Sequence, residues 1–156
     1  VAVGMAIGLK LDKKPHKVFT LLGDGELSEG SIWEGLMSAN KYQLDNLIII
    51  IDRNRLQITG KTEDVNPIEP LKEKFFSFGM SVQEVDGNSV GQLQDIFRKI
   101  PFEEKKPNLI IANTVKGKGI SFIENQVIWH HKVPTKNEFQ DAQKELDNEK
   151  LSLEND

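Results

Sequence analysis

Two short apolar runs constrain this chain more than any other feature. Val18–Leu22 and Leu47–Ile51 each break off into a polar cluster, Gly23-Asp24-Gly25 after the first and Asp52-Arg53-Asn54 after the second. Runs that are apolar almost throughout, Thr20 being the one polar residue, rather than alternating, suit parallel strands covered on both faces. Between them Ile32, Leu36 and Ala39, flanked by Trp33 and Met37, recur at helical spacing. Strand, helix and strand in that order make a βαβ unit with a right-handed crossover. Both strand ends then fall on one edge of a sheet, the edge where open α/β sheets bind ligands.

The rest of the chain continues the alternation. Residues 52–66 read as a long polar loop, a length at which loops are usually functional or disordered. Leu71, Phe75 and Phe78 mark a helix with Pro70 at its start and Gly79 at its stop. Met80, Val82 and Val85 suggest a third strand. Asn88 or Ser89 caps a helix whose buried face is Leu93, Ile96, Phe97 and Ile100. Leu109–Val115 reads as a fourth strand, so Lys116–Gly119 joins the two earlier clusters on the ligand edge. Thr135 and Glu138 form a capping-box pattern opening a polar terminal helix and tail over 135–156. The expected fold is α/β, a parallel sheet with helices on both faces.

With 156 residues there is room for one domain with a real core. The net charge is −4 with both signs interspersed, which argues against the basic stripe of a nucleic-acid binder. The Lys13–Lys17 cluster around His16 reads as a solvated turn. No apolar run approaches the length of a membrane span. Cysteine is absent, so no disulfide framework is present and a cytoplasmic location is expected. Val1 enters directly on an apolar helical stretch in which Gly4 and Gly8, one turn apart, would admit a close neighbour. That opening reads as a chain cut from a longer one.

The residue types at the strand ends point to a cation held against phosphate. Asp24 offers a carboxylate and Asn54 a side-chain amide. Mg²⁺ takes a few protein oxygens and completes its shell with phosphate and water. Gly23 and Gly25 would leave bare backbone beside the ligand. Each residue has a plainer reading: Asp24 as a turn aspartate, Asn54 as a left-handed turn residue, the glycines as a tight turn, and Lys116–Gly119 as an exposed basic turn.

GDG followed by Asn at this spacing resembles the thiamine diphosphate motif. GDGELSEGSIWE with LDNLIIIIDRNRL, then NTVKGKGISF and IWHHKVP, resembles transketolase in particular, over Val1 to about Leu146. The resemblance implies a thiamine-diphosphate-binding, diphosphate-domain fold over residues 1–156. It implies Mg²⁺, or Ca²⁺ in its place, on Asp24, the Asn54 side chain and the Leu56 carbonyl. It places Gly23, Asp24, Gly25, Glu29, Asn54, Lys116 and His130 around the cofactor, with His130 as the catalytic histidine and Glu29 linking paired sites at a subunit interface. The usual Trp-His-Gly is Trp-His-His here, so His131 replaces a small residue.

The resemblance also implies missing parts. The glutamate that activates the aminopyrimidine belongs to a pyrimidine-binding domain, and substrate-channel histidines belong upstream of Val1. The partner would be a C-terminal, pyrimidine-domain transketolase subunit, in a homodimer or heterotetramer acting on sugar phosphates, without nucleic acid or membrane. The implied reaction moves a two-carbon ketol unit from a ketose phosphate to an aldose phosphate. The nearest alternatives are a deoxyxylulose-phosphate synthase and the alpha subunit of a 2-oxo acid dehydrogenase. Alternatives of other classes are a Mg²⁺-dependent phosphatase-like domain, with Asp24 as nucleophile, and a non-catalytic assembly subunit.

Overall fold

The computed structural model describes residues 1–154. Strands β1 (Val18–Gly23), β2 (Leu47–Arg53), β5 (Ser81–Asp86) and β6 (Asn108–Asn113) form one parallel sheet in the order β1-β2-β6-β5. The register pairs Val18 with Leu47 and Gly23 with Asp52, then Ile48 with Asn108 and Arg53 with Asn113. All four strands therefore end on one edge. Helices α1 (Ala2–Leu11), α2 (Gly30–Lys41) and α4 (Leu71–Ser77) cover one face, and α5 (Val90–Arg98) covers the other.

Handedness explains that division. The connections β1–α2–β2 and β2–α4–β5 both advance across the sheet in one direction. The β5–α5–β6 connection steps back, so a right-handed crossover places α5 on the opposite face. The larger core packs Leu36, Ala39, Leu71 and Phe75 on Leu47, Ile49, Ile51, Leu109 and Ile111. The smaller packs Ile96 and Ile100 on Ile48, Ile110 and Ala112. Successive residues of β2 thus feed different cores, which is why its run is apolar without interruption. Trp33 stacks on Phe75 with ring centroids 5.5 Å apart, a packing role in line with the sequence.

Coverage stops short of β1. Phe19 and Leu21 point to the α5 side and remain 54% and 68% exposed. Met5 and Leu11 on α1 are exposed as well. A Cβ added at Gly4 or Gly8 would meet nothing within 4 Å, so among the described residues no segment makes the close approach expected there.

Three expectations about local structure need correction. The polar stretch 52–66 is not a loop: β2 continues through Arg53, and β3 (Leu56–Gln57) pairs antiparallel with β4 (Gly60–Lys61), followed by one helical turn, α3 (Thr62–Val65). Two-residue strands are too short to show a period. The last strand ends at Asn113, not Val115, because the Val115 N–H donates to Asn88 Oδ1 at 2.8 Å instead of extending the ladder. The left-handed residue of the 52–55 cluster is Arg55, φ 65°, rather than Asn54.

Other boundaries follow the sequence. Ser89 caps α5 by accepting from the Gln92 N–H. Gly79 stops α4 at φ 84°, where an added Cβ would lie 2.4 Å from Asn40. Thr135 and Glu138 form the capping box of α6 (Lys136–Leu153). The end of the expected tail, residues 155–156, lies outside the described residues.

Candidate diphosphate and metal site

Asp24 sits one residue past the end of β1, at the start of a 3-10 turn (Asp24–Ser28), and is 1% exposed. Its Oδ2 accepts two hydrogen bonds, from Arg53 Nη1 at 2.8 Å and from the Arg55 N–H at 2.7 Å. The left-handed turn at Arg55 aims that N–H backwards at the carboxylate. Asn54 Oδ1 accepts from the Leu56 N–H at 3.0 Å, fixing the amide in a local turn. Asp24 Oδ1 is buried and has no hydrogen-bond partner. A buried anionic oxygen without a partner is costly, and a cation beside it would remove that cost. The donor set thus fits a hard divalent ion.

These groups line one cavity of about 760 Å³. The residues that the resemblance assigns to cofactor and metal all face it: Gly23, Asp24, Gly25, Glu29, Asn54, Leu56, Lys116 and His130. His131 and Lys118 do not line it, and His16 lies in a separate cleft with Lys10, Lys14 and Lys17.

The glycines are explained differently than expected. The Gly23 N–H already donates to Glu26 Oε1 at 2.8 Å, so it is not free for phosphate, and Glu26 is a cap. A Cβ at Gly25 would come within 3.0 Å of Gln57 Cβ on β3. Glycine there admits the ribbon. In the Lys116–Gly119 loop, φ is 75° at Gly117 and 99° at Gly119, and Lys118 pairs with Glu124 at 3.4 Å. Lys116 is left facing the cavity. Trp129 packs against Phe122, and His130 ends a 3-10 turn (Val127–His130) with its ring edge-on to His131. Desolvation, then the Lys116 charge and His131, hold the His130 imidazole below its ordinary value. An anion between Lys116 and His130 would oppose that shift.

Two residues of the strand-end cluster were given no role by the sequence. Asp52 lines the cavity and accepts a hydrogen bond from the Thr114 hydroxyl. Arg53 is 2% exposed and gathers three carboxylates: Asp24, Glu63 and Glu69 each lie 2.8 Å from its guanidinium. Burial works against the Arg53 charge, yet Asp24 and Glu69 raise its pKa above the ordinary value. A fully charged residue ending a buried strand was the available signal, since such residues are almost never buried unpaired.

Among the described residues no group of three or more His, Cys, Asp or Glu side chains could hold a metal. The acidic cluster required by a phosphatase-like reading is therefore missing there, and Asp24 Oδ2 is already engaged. No described helix is long and apolar enough to cross a membrane.

A parallel sheet flanked on both faces, with a carboxylate and a carboxamide at adjacent strand ends and basic groups across the cavity, defines an α/β domain of the diphosphate-binding kind. The chain belongs to the transketolase family, in its thiamine diphosphate binding domain, whose family model matches residues 10–152. It is 46% identical over 99% of its length to one of the subunits of apulose-4-phosphate transketolase from Phocaeicola vulgatus, covering 56% of that protein. It is 40% identical over 95% of its length to 6-deoxy-6-sulfo-D-fructose transketolase subunit SqwG of a Clostridium species, covering 54%. The chain thus spans about half the length of these curated relatives. Among solved structures, transketolase from Campylobacter jejuni superposes with a TM-score of 0.86 at 28% identity, over 93% of this chain and 24% of that one.

Proposed function

We propose that this chain supplies the diphosphate- and Mg²⁺-binding half of a thiamine-diphosphate-dependent transketolase, working with a pyrimidine-domain partner chain on sugar phosphates. The observation that carries the reading is the buried, unpartnered Asp24 Oδ1 in a cavity that also holds Asn54, Leu56, Lys116 and His130. Asp24 Oδ1, Asn54 Oδ1 and the Leu56 carbonyl would bind the metal, and Lys116 and His130 the diphosphate. Thiamine diphosphate, when bound, supplies the carbanion-stabilising chemistry of ketol transfer, and the protein supplies position. Glu29, at the end of the 3-10 turn and facing the cavity, is the residue assigned to the junction with a second site. The relatives are themselves named as transketolase subunits, which supports a split enzyme with a separate partner. The absence of cysteine fits a cytoplasmic location.

The test has two arms. Calorimetry of the full-length chain with Mg²⁺ and thiamine diphosphate, with and without the partner, should give saturable binding. A ketol-transfer assay should give turnover only with the partner present. Donors would include xylulose 5-phosphate and the sugars named for the relatives, apulose 4-phosphate and 6-deoxy-6-sulfo-D-fructose, with an aldose phosphate as acceptor. Turnover by the chain alone would overturn the half-site reading. No Mg²⁺-dependent binding would overturn the site assignment.

A further inference from the structure

We propose that Arg53 is a positioning residue that restricts Asp24 to one coordinating oxygen and thereby favours Mg²⁺ over Ca²⁺. The inference rests on the reading of Asp24 as a metal ligand. Both donors that reach Asp24, Arg53 Nη1 and the Arg55 N–H, converge on Oδ2 and leave Oδ1 bare. The guanidinium cannot follow a rotating carboxylate, because its other nitrogens are engaged. Nη2 donates to Glu63 Oε1 and Glu69 Oε1, each at 2.8 Å, and Nε donates to Glu69 Oε1 at 3.2 Å. Glu69 is itself held by the Leu71 N–H at 2.8 Å.

For Asp24 to chelate a cation through both oxygens, Oδ2 would have to leave two buried hydrogen bonds, one of them charged. Mg²⁺ asks for no such change, since it takes single oxygens in an octahedron at about 2.0–2.1 Å. Ca²⁺ accepts six to eight oxygens at about 2.3–2.6 Å and readily uses both oxygens of a carboxylate. Fixing Oδ2 therefore removes a ligand that Ca²⁺ would use and Mg²⁺ would not. A lysine at position 53 keeps the charge but lacks the planar fork that reaches three carboxylates at once.

The experiment titrates Mg²⁺ and Ca²⁺ separately into the full-length chain, saturated with thiamine diphosphate, for wild type, Arg53→Lys and Glu69→Gln. For Arg53→Lys, Mg²⁺ affinity should fall about 10–100-fold, as on losing other groups that orient a ligand. Ca²⁺ affinity should change by less than about threefold, so the Mg²⁺/Ca²⁺ preference collapses. Glu69→Gln keeps the Arg53–Asp24 contact but turns one of the two acceptors that brace it into a donor, so it should lose the preference in part. Equal losses for both ions in Arg53→Lys would mean a merely structural arginine and overturn the proposal. Failure of wild type to bind either ion with the cofactor would instead overturn the metal-site reading beneath it. Infrared difference spectra of wild type with ¹³C-carboxyl aspartate decide the matter even where the variant does not fold. A Ca²⁺-induced band absent from Asp24→Asn, with widely split carboxylate stretches, is the signature of one-oxygen binding imposed by the protein, since Ca²⁺ otherwise readily uses both oxygens. A narrow splitting would mean chelation and refute it.

Discussion

Asp24→Asn separates the ligand role of Asp24 from its part in the fold. Position Oδ2 receives two donors, Arg53 Nη1 and the Arg55 N–H. An asparagine must therefore place its amide oxygen there, which swings its NH₂ group to the bare Oδ1 position. A donor would then face the cation, and Mg²⁺ affinity should fall by more than about 100-fold, at least as much as for losing an orienting partner. The fold should lose much less. Arg53 keeps Glu63 and Glu69, so the cost should lie near the low end for a charged hydrogen bond, about 1.5 kcal/mol. In a chain of this size that is roughly 3–6 °C in Tm. Wild type at one hundred times Kd should gain about 2.7 kcal/mol from its ligands. Thermal melts with and without Mg²⁺ and thiamine diphosphate report both quantities. The variant should melt slightly lower without ligand and show no ligand-dependent rise. A full rise in the variant would refute the assignment of Oδ1 to the metal.

His130→Ala should weaken thiamine diphosphate binding by about tenfold or more, the worth of one hydrogen bond to a charged group, while His131→Ala stays near wild type. Because desolvation, then Lys116 and His131, hold the His130 pKa below its ordinary value of 6.5, diphosphate binding should draw a proton onto His130 around that ordinary value. Calorimetry in buffers of different ionisation enthalpy should show that uptake in wild type and not in His130→Ala, and equal uptake in both would count against the contact. At the α6 cap, the Lys132 hydrogen bond, then the Thr135 N–H and hydroxyl, lower Glu138 from 4.5 to about 2. A depressed carboxyl pKa stabilises above the ordinary value, so helical circular dichroism should hold above pH 4.5 and fall toward pH 2. Glu138→Gln should flatten that fall, and an unchanged profile would refute the cap.

The strands that carry the site were legible because β2 is apolar without a break and β1 is broken only by Thr20, and a parallel pair must end on one edge. That logic brought Asp24, Asn54 and Lys116 together from pattern alone. His130 came from resemblance, since no periodicity marks its short turn. The ribbon β3–β4 was missed because four paired residues carry no period. Arg53 was missed for a different reason. Its partner Glu63 arrives from the 52–66 stretch that looked like polar loop and Glu69 from just beyond it, and only the fold shows three carboxylates meeting on one guanidinium. Gly23 and Gly25 line the cavity, but the groups they accommodate, Glu26 and Gln57, are local and were not foreseen.

The uninterrupted run Leu47–Ile51 poses a problem of folding fidelity. Five apolar residues in succession bury almost equally well whichever face they present, so hydrophobicity alone hardly distinguishes the native pairing of β2 from one shifted by a single residue. The polar end of the strand does distinguish them. In the observed register Arg53 turns to the side of Ile49 and Ile51 and meets Asp24, Glu63 and Glu69. A one-residue slip would put Asp52 or Asn54 in its place, leaving three carboxylates without their cation and sending the arginine to the opposite side. The corner of the sheet that would grip a metal is thus also the part of β2 that specifies its alignment.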